Sequence, residues 1–94
     1  MSLIDATSAD WRSIPPHLRG GIERWVYDGI PPGHFLTCVL KNDLAGAATY
    51  GDSESTAALV GIVRFLREHC PRQCWGGVAA FATWPERLAE MRAA

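Results

Sequence analysis

Apolar residues recur at helical spacing through most of this 94-residue sequence. Between residues 16 and 27 the apolar stripe consists of Leu18, Ile22, Trp25 and Val26. Such spacing places the side chains on one face of an amphipathic helix. No segment alternates apolar and polar residues as a half-buried strand does. The pattern therefore predicts an all-α fold, a compact bundle of four to five short helices.

Proline and glycine mark where the predicted helices begin and end. Ile14-Pro15-Pro16 and Ile30-Pro31-Pro32 form stiff corners, because proline fixes φ and turns the preceding residue away from the helical region. The predicted helices cover residues 16–27, 32–42, 54–69, 78–82 and 84–92. Gly29 is expected to end the first helix, Asp52 or Ser53 to cap the helix over residues 54–69, and Thr83 to cap the last helix. At Asn42-Asp43 the second helix either breaks or continues to residue 48, since both residue types compete with helical hydrogen bonds.

The segment from residue 54 to residue 69 is the most apolar predicted helix, and we expect it at the centre of the bundle. Its apolar positions are Leu59, Val60, Ile62, Val63, Phe65 and Leu66. An arc this broad indicates packing on two sides. Residues 14–94 are expected to form a single helical domain. Residues 1–13 are expected to form a flexible N-terminal tail with one anchoring turn near Trp11.

Composition and charge narrow the functional classes. Apolar residues make up 48% of the chain and charged residues 20%, which is typical of a globular protein. The net charge of −1 provides no attraction to nucleic acid or to an anionic membrane. The N-terminus lacks the basic and apolar regions of a signal peptide. Three cysteines, an odd number, then favour reduced thiols and a cytoplasmic location.

The candidate metal ligands are His69, Cys70 and Cys74. Two cysteines separated by three residues lie near the usual zinc spacing, but a structural zinc site takes four ligands. The side chains that could complete the set are His17, His34 and Cys38. A small metal-binding protein is therefore one interpretation, and ordinary packing of the thiols is the other.

Candidate catalytic groups occur without a pattern that supports catalysis. Cys38 lies four residues after His34, which allows contact on a helix, but its apolar neighbours indicate burial. Asp52 and Glu54 stand where a helix is predicted to start, and the helix dipole favours carboxylates there. We therefore expect no enzyme, no catalytic residue and no cofactor.

The most ligand-like local cluster is Trp75-Gly76-Gly77 with Arg72 close by. A flat indole, an open backbone and a cation could hold a nucleotide or another small anionic ligand. In so short a chain, such a site would lie at a subunit interface. The structural alternative is that Trp75 fills the core.

The stretch GIPPGHFLTCVLKNDL, residues 29–44, resembles a block in a family of small proteins of unassigned biochemistry encoded by tailed phages and prophages. A second block, Pro71-x-x-Cys74-Trp75-Gly76, resembles the same family, as does the later Trp84. At Gly77 the family commonly has a serine. The resemblance spans residues 14–84 and implies a phage accessory protein in the cytoplasm of the host bacterial cell. It carries over no catalytic residues.

Together these observations predict a non-enzymatic protein that binds a host protein, in host takeover or against host defence. The candidate binding residues are His34, Asn42, Asp43, Tyr50, Asp52, Arg72, Trp75, Gly76 and Gly77. Asn42-Asp43 is expected to meet the turn from Tyr50 to Asp52, as a functional rim or as a hydrogen-bonded staple. The alternative function is a sponge for a nucleotide or other small anion. Four tryptophans and a broad apolar helix also favour a homodimer or higher homo-oligomer.

Overall fold

The computed structural model describes residues 2–94, where seven α-helices and one 3-10 helix pack together without a strand. The α-helices are α1 (Ser8–Trp11), α2 (Pro16–Asp28), α3 (His34–Leu40), α4 (Leu44–Tyr50), α5 (Ser53–Ala57), α6 (Leu59–His69) and α7 (Val78–Ala93). The 3-10 helix (Arg72–Cys74) lies between α6 and α7. The predicted all-α fold is confirmed. Within the described chain, no helix combines the length and apolarity that crossing a membrane requires.

Helix α2 packs Ile22, Trp25 and Val26 into the core. Trp25 is 1% exposed, its ring stacks on Phe81 of α7 at 4.4 Å, and its indole N–H donates to the Cys74 carbonyl at 2.8 Å. The indole N–H of Trp84 donates in turn to the Trp25 carbonyl at 3.0 Å. The indole N–H groups of Trp25 and Trp84 therefore each have a partner, as burial of a polar atom requires. The two bonds join α2 to the 3-10 segment and to α7.

The start and end of α2 follow the predicted corner chemistry. Pro16 is the first residue of the helix, and Gly29 ends it in the left-handed conformation with φ 68°. Glycine adopts this conformation without the steric cost that a Cβ brings. Inside α2, a Cβ on Gly21 would lie 3.1 Å from Leu36 of α3. Gly21 thus permits a close approach of α3 to α2.

The chain breaks at Asn42-Asp43, the first of the two predicted outcomes there. Asn42 has a positive φ of 62°, a conformation that asparagine adopts more readily than most residues. The carboxylate of Asp43 then accepts the Gly46 N–H at 2.9 Å and caps α4. As a result α3 and α4 are separate seven-residue helices that pack on each other.

The predicted continuous helix over residues 54–69 is wrong, because the chain bends at Ala58 between α5 and α6. Ile62, Phe65 and Leu66 are buried as expected, whereas Val60 is 63% exposed and Val63 is 37% exposed. No proline or glycine marks the bend.

The predicted division into helices 78–82 and 84–92 is also wrong, since α7 runs unbroken from Val78 to Ala93. The Thr83 hydroxyl donates to the Ala79 carbonyl at 2.9 Å, one turn back in the same helix, and caps nothing. Pro85 lies inside the helix. It has no N–H to donate to the Phe81 carbonyl, but packing of Trp84 and Leu88 in the core keeps the helix intact.

The N-terminal segment packs on the helical domain at more points than the predicted turn near Trp11. That turn is α1, and Trp11 packs on Phe65 with ring centroids 4.5 Å apart. The N–H groups of Leu3 and Ile4 each lie 3.2 Å from the Tyr27 hydroxyl, to which they donate. Ile4 is 9% exposed and joins the core. The predicted flexibility of residues 1–13 stays a prediction.

Candidate functional site

An open groove of about 450 Å³ lies between α2 and the beginning of α3, and we call it the α2–α3 groove. Residues of α4 and of the turn into α5 also line it. Its polar and aromatic lining includes His17, Arg24, His34, Tyr50, Asp52 and Ser55. Three of these, His34, Tyr50 and Asp52, are binding candidates from the sequence.

His34 and Tyr50 form an aromatic pair at the groove. Their ring centroids lie 5.1 Å apart with the planes tilted by 43°, and both residues are exposed. His34 is the first residue of α3, directly after the corner at Pro31-Pro32, whose geometry the Thr37 hydroxyl supports by donating to the Pro32 carbonyl at 3.0 Å. Tyr50 is the last residue of α4. The packing of α3 on α4 therefore brings the two rings together.

His17, near the start of α2, contacts three side chains from the start of α5. Its Nε2 lies 3.2 Å from the Ser55 hydroxyl and 3.8 Å from an Asp52 carboxylate oxygen. Its Nδ1 lies 3.0 Å from a Glu54 carboxylate oxygen. The Ser55 N–H donates to Asp52 at 2.7 Å, and this bond lowers the pKa of the Asp52 carboxyl below its ordinary value of 3.8. The cluster connects α2 with α5.

The order Ser55, His17, Glu54 is that of a nucleophile, a base and an orienting acid. However, Ser55 is only 3% exposed. A nucleophile must reach the carbonyl that it attacks, and this hydroxyl has little access from the groove. In the observed geometry the three side chains instead satisfy one another at a contact between two helices.

Asn42 and Asp43 do not join the α2–α3 groove. They line a separate, shallow depression of about 70 Å³ together with apolar residues of α4 and α6. The Asp43 carboxylate caps α4 and the Asp52 carboxylate caps α5, so each serves its own helix. The structure therefore separates the two halves of the rim that the sequence predicts.

The Trp75 cluster is tied into the fold. The Gly76 N–H donates to the Leu40 carbonyl at 2.9 Å, so one of the two backbone donors expected to bind an anion is already used. Trp75 is partly buried against the core, and its indole N–H is buried without a partner among the described residues. Arg72 begins the 3-10 helix and is exposed, and Gly77 precedes α7.

The surroundings of the candidate metal ligands indicate that these residues have structural roles. Cys70 and Cys74 are buried free cysteines, and burial raises the pKa of each thiol to about 12. A zinc ligand is a thiolate, which this environment disfavours. The Nδ1 atom of His69 lies 2.5 Å from the Asp5 carbonyl oxygen, and its Nε2 atom lies 3.8 Å from a carboxylate oxygen of Asp10. Within residues 2–94, no three His, Cys, Asp or Glu side chains are grouped as metal ligands.

Sequence reasoning missed the part of the groove that α2 contributes. His17 is 38 residues from Ser55, and Arg24 is likewise distant in sequence from His34 and Tyr50. No local spacing rule connects them, because their proximity arises from the packing of α2 on α3 and α5. The one available signal was the polar side of α2, opposite its apolar stripe, which has to face solvent or a partner.

Fold and groove define the protein as a small all-helical protein with an open, polar and aromatic groove between α2 and α3. No family model matches the chain. Neither the curated proteins nor the solved structures compared with it give a match.

Proposed function

We propose that this protein acts by binding and not by catalysis, and that its partner is a host protein that docks at the α2–α3 groove. The observation that carries the proposal is the meeting of His34, Tyr50 and Asp52 at one open groove, although they belong to different elements. The resemblance to proteins of tailed phages and prophages supports a bacterial host protein as the partner. Interference with host defence or host metabolism is the role such binding would serve.

Rigidity supports a binding role for the groove. Tyr50 is 59% exposed, yet its ring is held against His34, which in turn follows a proline corner. An exposed aromatic side chain that is already ordered loses little conformational entropy when a partner covers it. Tyrosine is also among the residues that most often dominate binding energy at protein interfaces.

Binding assays with matched variants test this proposal. The tagged protein is used to isolate a partner from the host, and the affinity of the purified partner is then measured for each variant. We expect Tyr50→Ala and His34→Ala each to weaken binding at least tenfold, while Val78→Ala, which truncates a 66% exposed residue on α7, leaves it unchanged. A purified partner that binds Tyr50→Ala as tightly as the wild type would contradict the proposed location.

The proposed absence of catalysis has its own test. A fluorophosphonate probe labels serines that are activated by a neighbouring histidine and are accessible. Because Ser55 is buried, we expect no labelling of the native protein. Stoichiometric labelling that disappears in Ser55→Ala would show that the cluster around His17 is a catalytic site.

A second candidate function is the binding of a small anionic ligand, such as a nucleotide, in the same groove. Arg24, His17 and His34 bring three basic side chains to it, and about 450 Å³ lies within the usual range for small-molecule sites. The groove replaces the Trp75 cluster as the proposed location, since the Gly76 N–H is engaged. A thermal-shift screen with nucleotides tests it. A ligand that stabilises the wild type should lose its effect in Arg24→Gln.

A further inference from the structure

An exposed apolar surface lies on the side of α6 that faces away from the core. Leu44 of α4 is 70% exposed, Val60 of α6 is 63% exposed and Val63 is 37% exposed. Leu44 and Val63 line the same shallow depression, together with Leu59. We call the exposed residues Leu44, Val60 and Val63, together with the half-buried Leu59 beside them, the α4–α6 face.

Helix geometry makes the α6 part of this surface continuous. Val60, Val63 and Arg67 follow one another at intervals of three and four residues, so they form one row along the helix. The buried residues Ile62 and Phe65 lie on other sides of the helix. A single exposed valine needs no explanation, whereas neighbouring exposed apolar residues from two helices are typical of an interface.

One acidic and one basic residue border this apolar surface. Asp43, at the start of α4, lines the same depression, and Arg67 follows one turn after Val63. Both residues are exposed, and neither forms an ion pair within residues 2–94. A surface that carries an acid and a base beside an apolar centre can complement a second copy of itself.

We propose that the α4–α6 face binds a second copy of this chain and forms a homodimer with two-fold symmetry. In a two-fold dimer the same surface of each copy faces the other. The valines of the two copies would then pack together, and Asp43 of each copy would face Arg67 of the other. A stable interface buries roughly 1200 Å² in total. Half of that, about 600 Å² from each copy, is about a tenth of the 5674 Å² surface of one chain.

Measurement of the molar mass in solution tests the dimer. Light scattering coupled to size-exclusion chromatography should give a mass near twice the 10.3 kDa of one chain. Val60→Glu and Val63→Glu should each give the monomer, because taking a carboxylate out of water at the apolar centre of an interface is costly. Val78→Glu is the matched control, since Val78 is 66% exposed but lies on α7, and it should remain dimeric. Circular dichroism confirms that each variant is folded.

Charge variants test the predicted arrangement within the dimer. Asp43→Asn removes the charge but preserves the helix cap, because asparagine also caps helices well. We expect it, and Arg67→Glu, to weaken dimerisation about tenfold. Arg67→Glu should have a smaller effect in the Asp43→Asn background, where the introduced glutamate no longer faces an aspartate. A wild-type monomer at all concentrations, or a folded and dimeric Val60→Glu, would overturn the proposal.

Discussion

At the scale of single residues, burial determines the chemistry of the cysteines. Cys70 and Cys74 lie near His69 in sequence, as metal ligands or a reactive thiol would, but burial raises the pKa of each to about 12. The nucleophilic form of cysteine is the thiolate. At pH 8 a thiol with such a pKa is ionised in only about one molecule in ten thousand.

We therefore predict that a thiol-reactive chromogenic reagent at pH 8 modifies at most one cysteine of the native protein. That cysteine is Cys38, which is partly exposed, and burial together with the neighbouring Asp43 raises its pKa as well, so its reaction should be slow. In urea all three thiols should react quickly. Rapid reaction of two or more thiols in the folded protein would contradict the observed burial.

The hydrogen bond from the Ser55 N–H to the Asp52 carboxylate makes the free energy of unfolding depend on pH. The Ser55 N–H lowers the pKa of the Asp52 carboxyl below 3.8, so the folded state binds a proton there less readily than the unfolded state. The stabilising effect is therefore complete above the ordinary pKa and is lost as the pH falls below 3.8 through the lower, folded value.

We predict that Asp52→Asn reduces the loss of stability on acidification. Asparagine preserves the cap but has no carboxyl to titrate. The measurement is the urea midpoint of unfolding between pH 6 and pH 2.5. The fall of the urea midpoint with decreasing pH should become smaller in the variant but not vanish. Asp10 also contributes to it, because hydrogen bonds from Thr7 lower the pKa of the Asp10 carboxyl. Identical slopes for the variant and the wild type would show that Asp52 does not contribute.

Residue types at helix ends were readable from the sequence, and contacts between distant helices were not. Gly29 was predicted as a helix end and Asp52 or Ser53 as a cap, and the cap is Asp52. Both roles depend on the local backbone. The contact of His17 with Ser55 spans 38 positions and depends on how two helices pack. For the same reason the sequence identified His34, Tyr50 and Asp52 as candidates but not the α2 side of their groove.

At the scale of helices, we expect the same substitution to have opposite effects at two glycines. Gly20 lies inside α2, and Gly29 lies at its end. Gly29 has φ 68°, and a Cβ there would lie 3.3 Å from the Pro85 backbone. Gly20 is inside α2, where a Cβ would meet only the flexible end of the Arg24 side chain. Alanine is favoured over glycine in a helix by about 1 kcal/mol.

We predict that Gly29→Ala destabilises the protein by about 1–2 kcal/mol through left-handed strain and crowding against α7. Gly20→Ala should instead stabilise it by up to about 1 kcal/mol. Free energies of unfolding from urea titration give both values. Because the substitution is the same in both variants, equal shifts would indicate that the ending of α2 at Gly29 is not as described.

Helix boundaries were predictable where the chain carries its own punctuation. The start of α2 after Pro15, its end at Gly29 and the end of α6 before Pro71 were all predicted. The bend at Ala58 was not, because alanine favours the helix and no proline or glycine stands there. At Thr83 the sequence pattern of a cap was present, but the core contacts of Trp84 and Leu88 kept α7 continuous.

At the scale of the whole molecule, the sequence predicted the class of fold but exaggerated the burial of its most apolar segment. Val60 and Val63 were expected in the core and are exposed. Sequence hydrophobicity cannot distinguish a core from an interface, since both bury the same side chains. The proposed dimer would account for the difference, because the second copy would bury Val60 and Val63, which are exposed in the single chain.

Two tryptophans, Trp25 and Trp75, differ in whether the indole N–H has a hydrogen-bond partner. Trp25 in α2 donates to the Cys74 carbonyl, whereas the buried indole N–H of Trp75 has no partner within residues 2–94. Replacing Trp25 by phenylalanine leaves a buried carbonyl without its donor and a gap beside Phe81. The same replacement at Trp75 removes a donor whose desolvation is uncompensated, and this offsets the loss of ring volume.

We therefore predict that Trp25→Phe lowers the free energy of unfolding by about 2–4 kcal/mol, and that Trp75→Phe changes it by less than about 1 kcal/mol. The two substitutions remove the same atoms, so the difference reports the hydrogen bond and the packing at the centre of the fold. Urea titrations must use one protein concentration throughout, because dimerisation would make stability depend on concentration. A Trp75→Phe variant as unstable as Trp25→Phe would mean that the Trp75 indole has a partner in solution, and the loop before α7 would then have to be arranged differently.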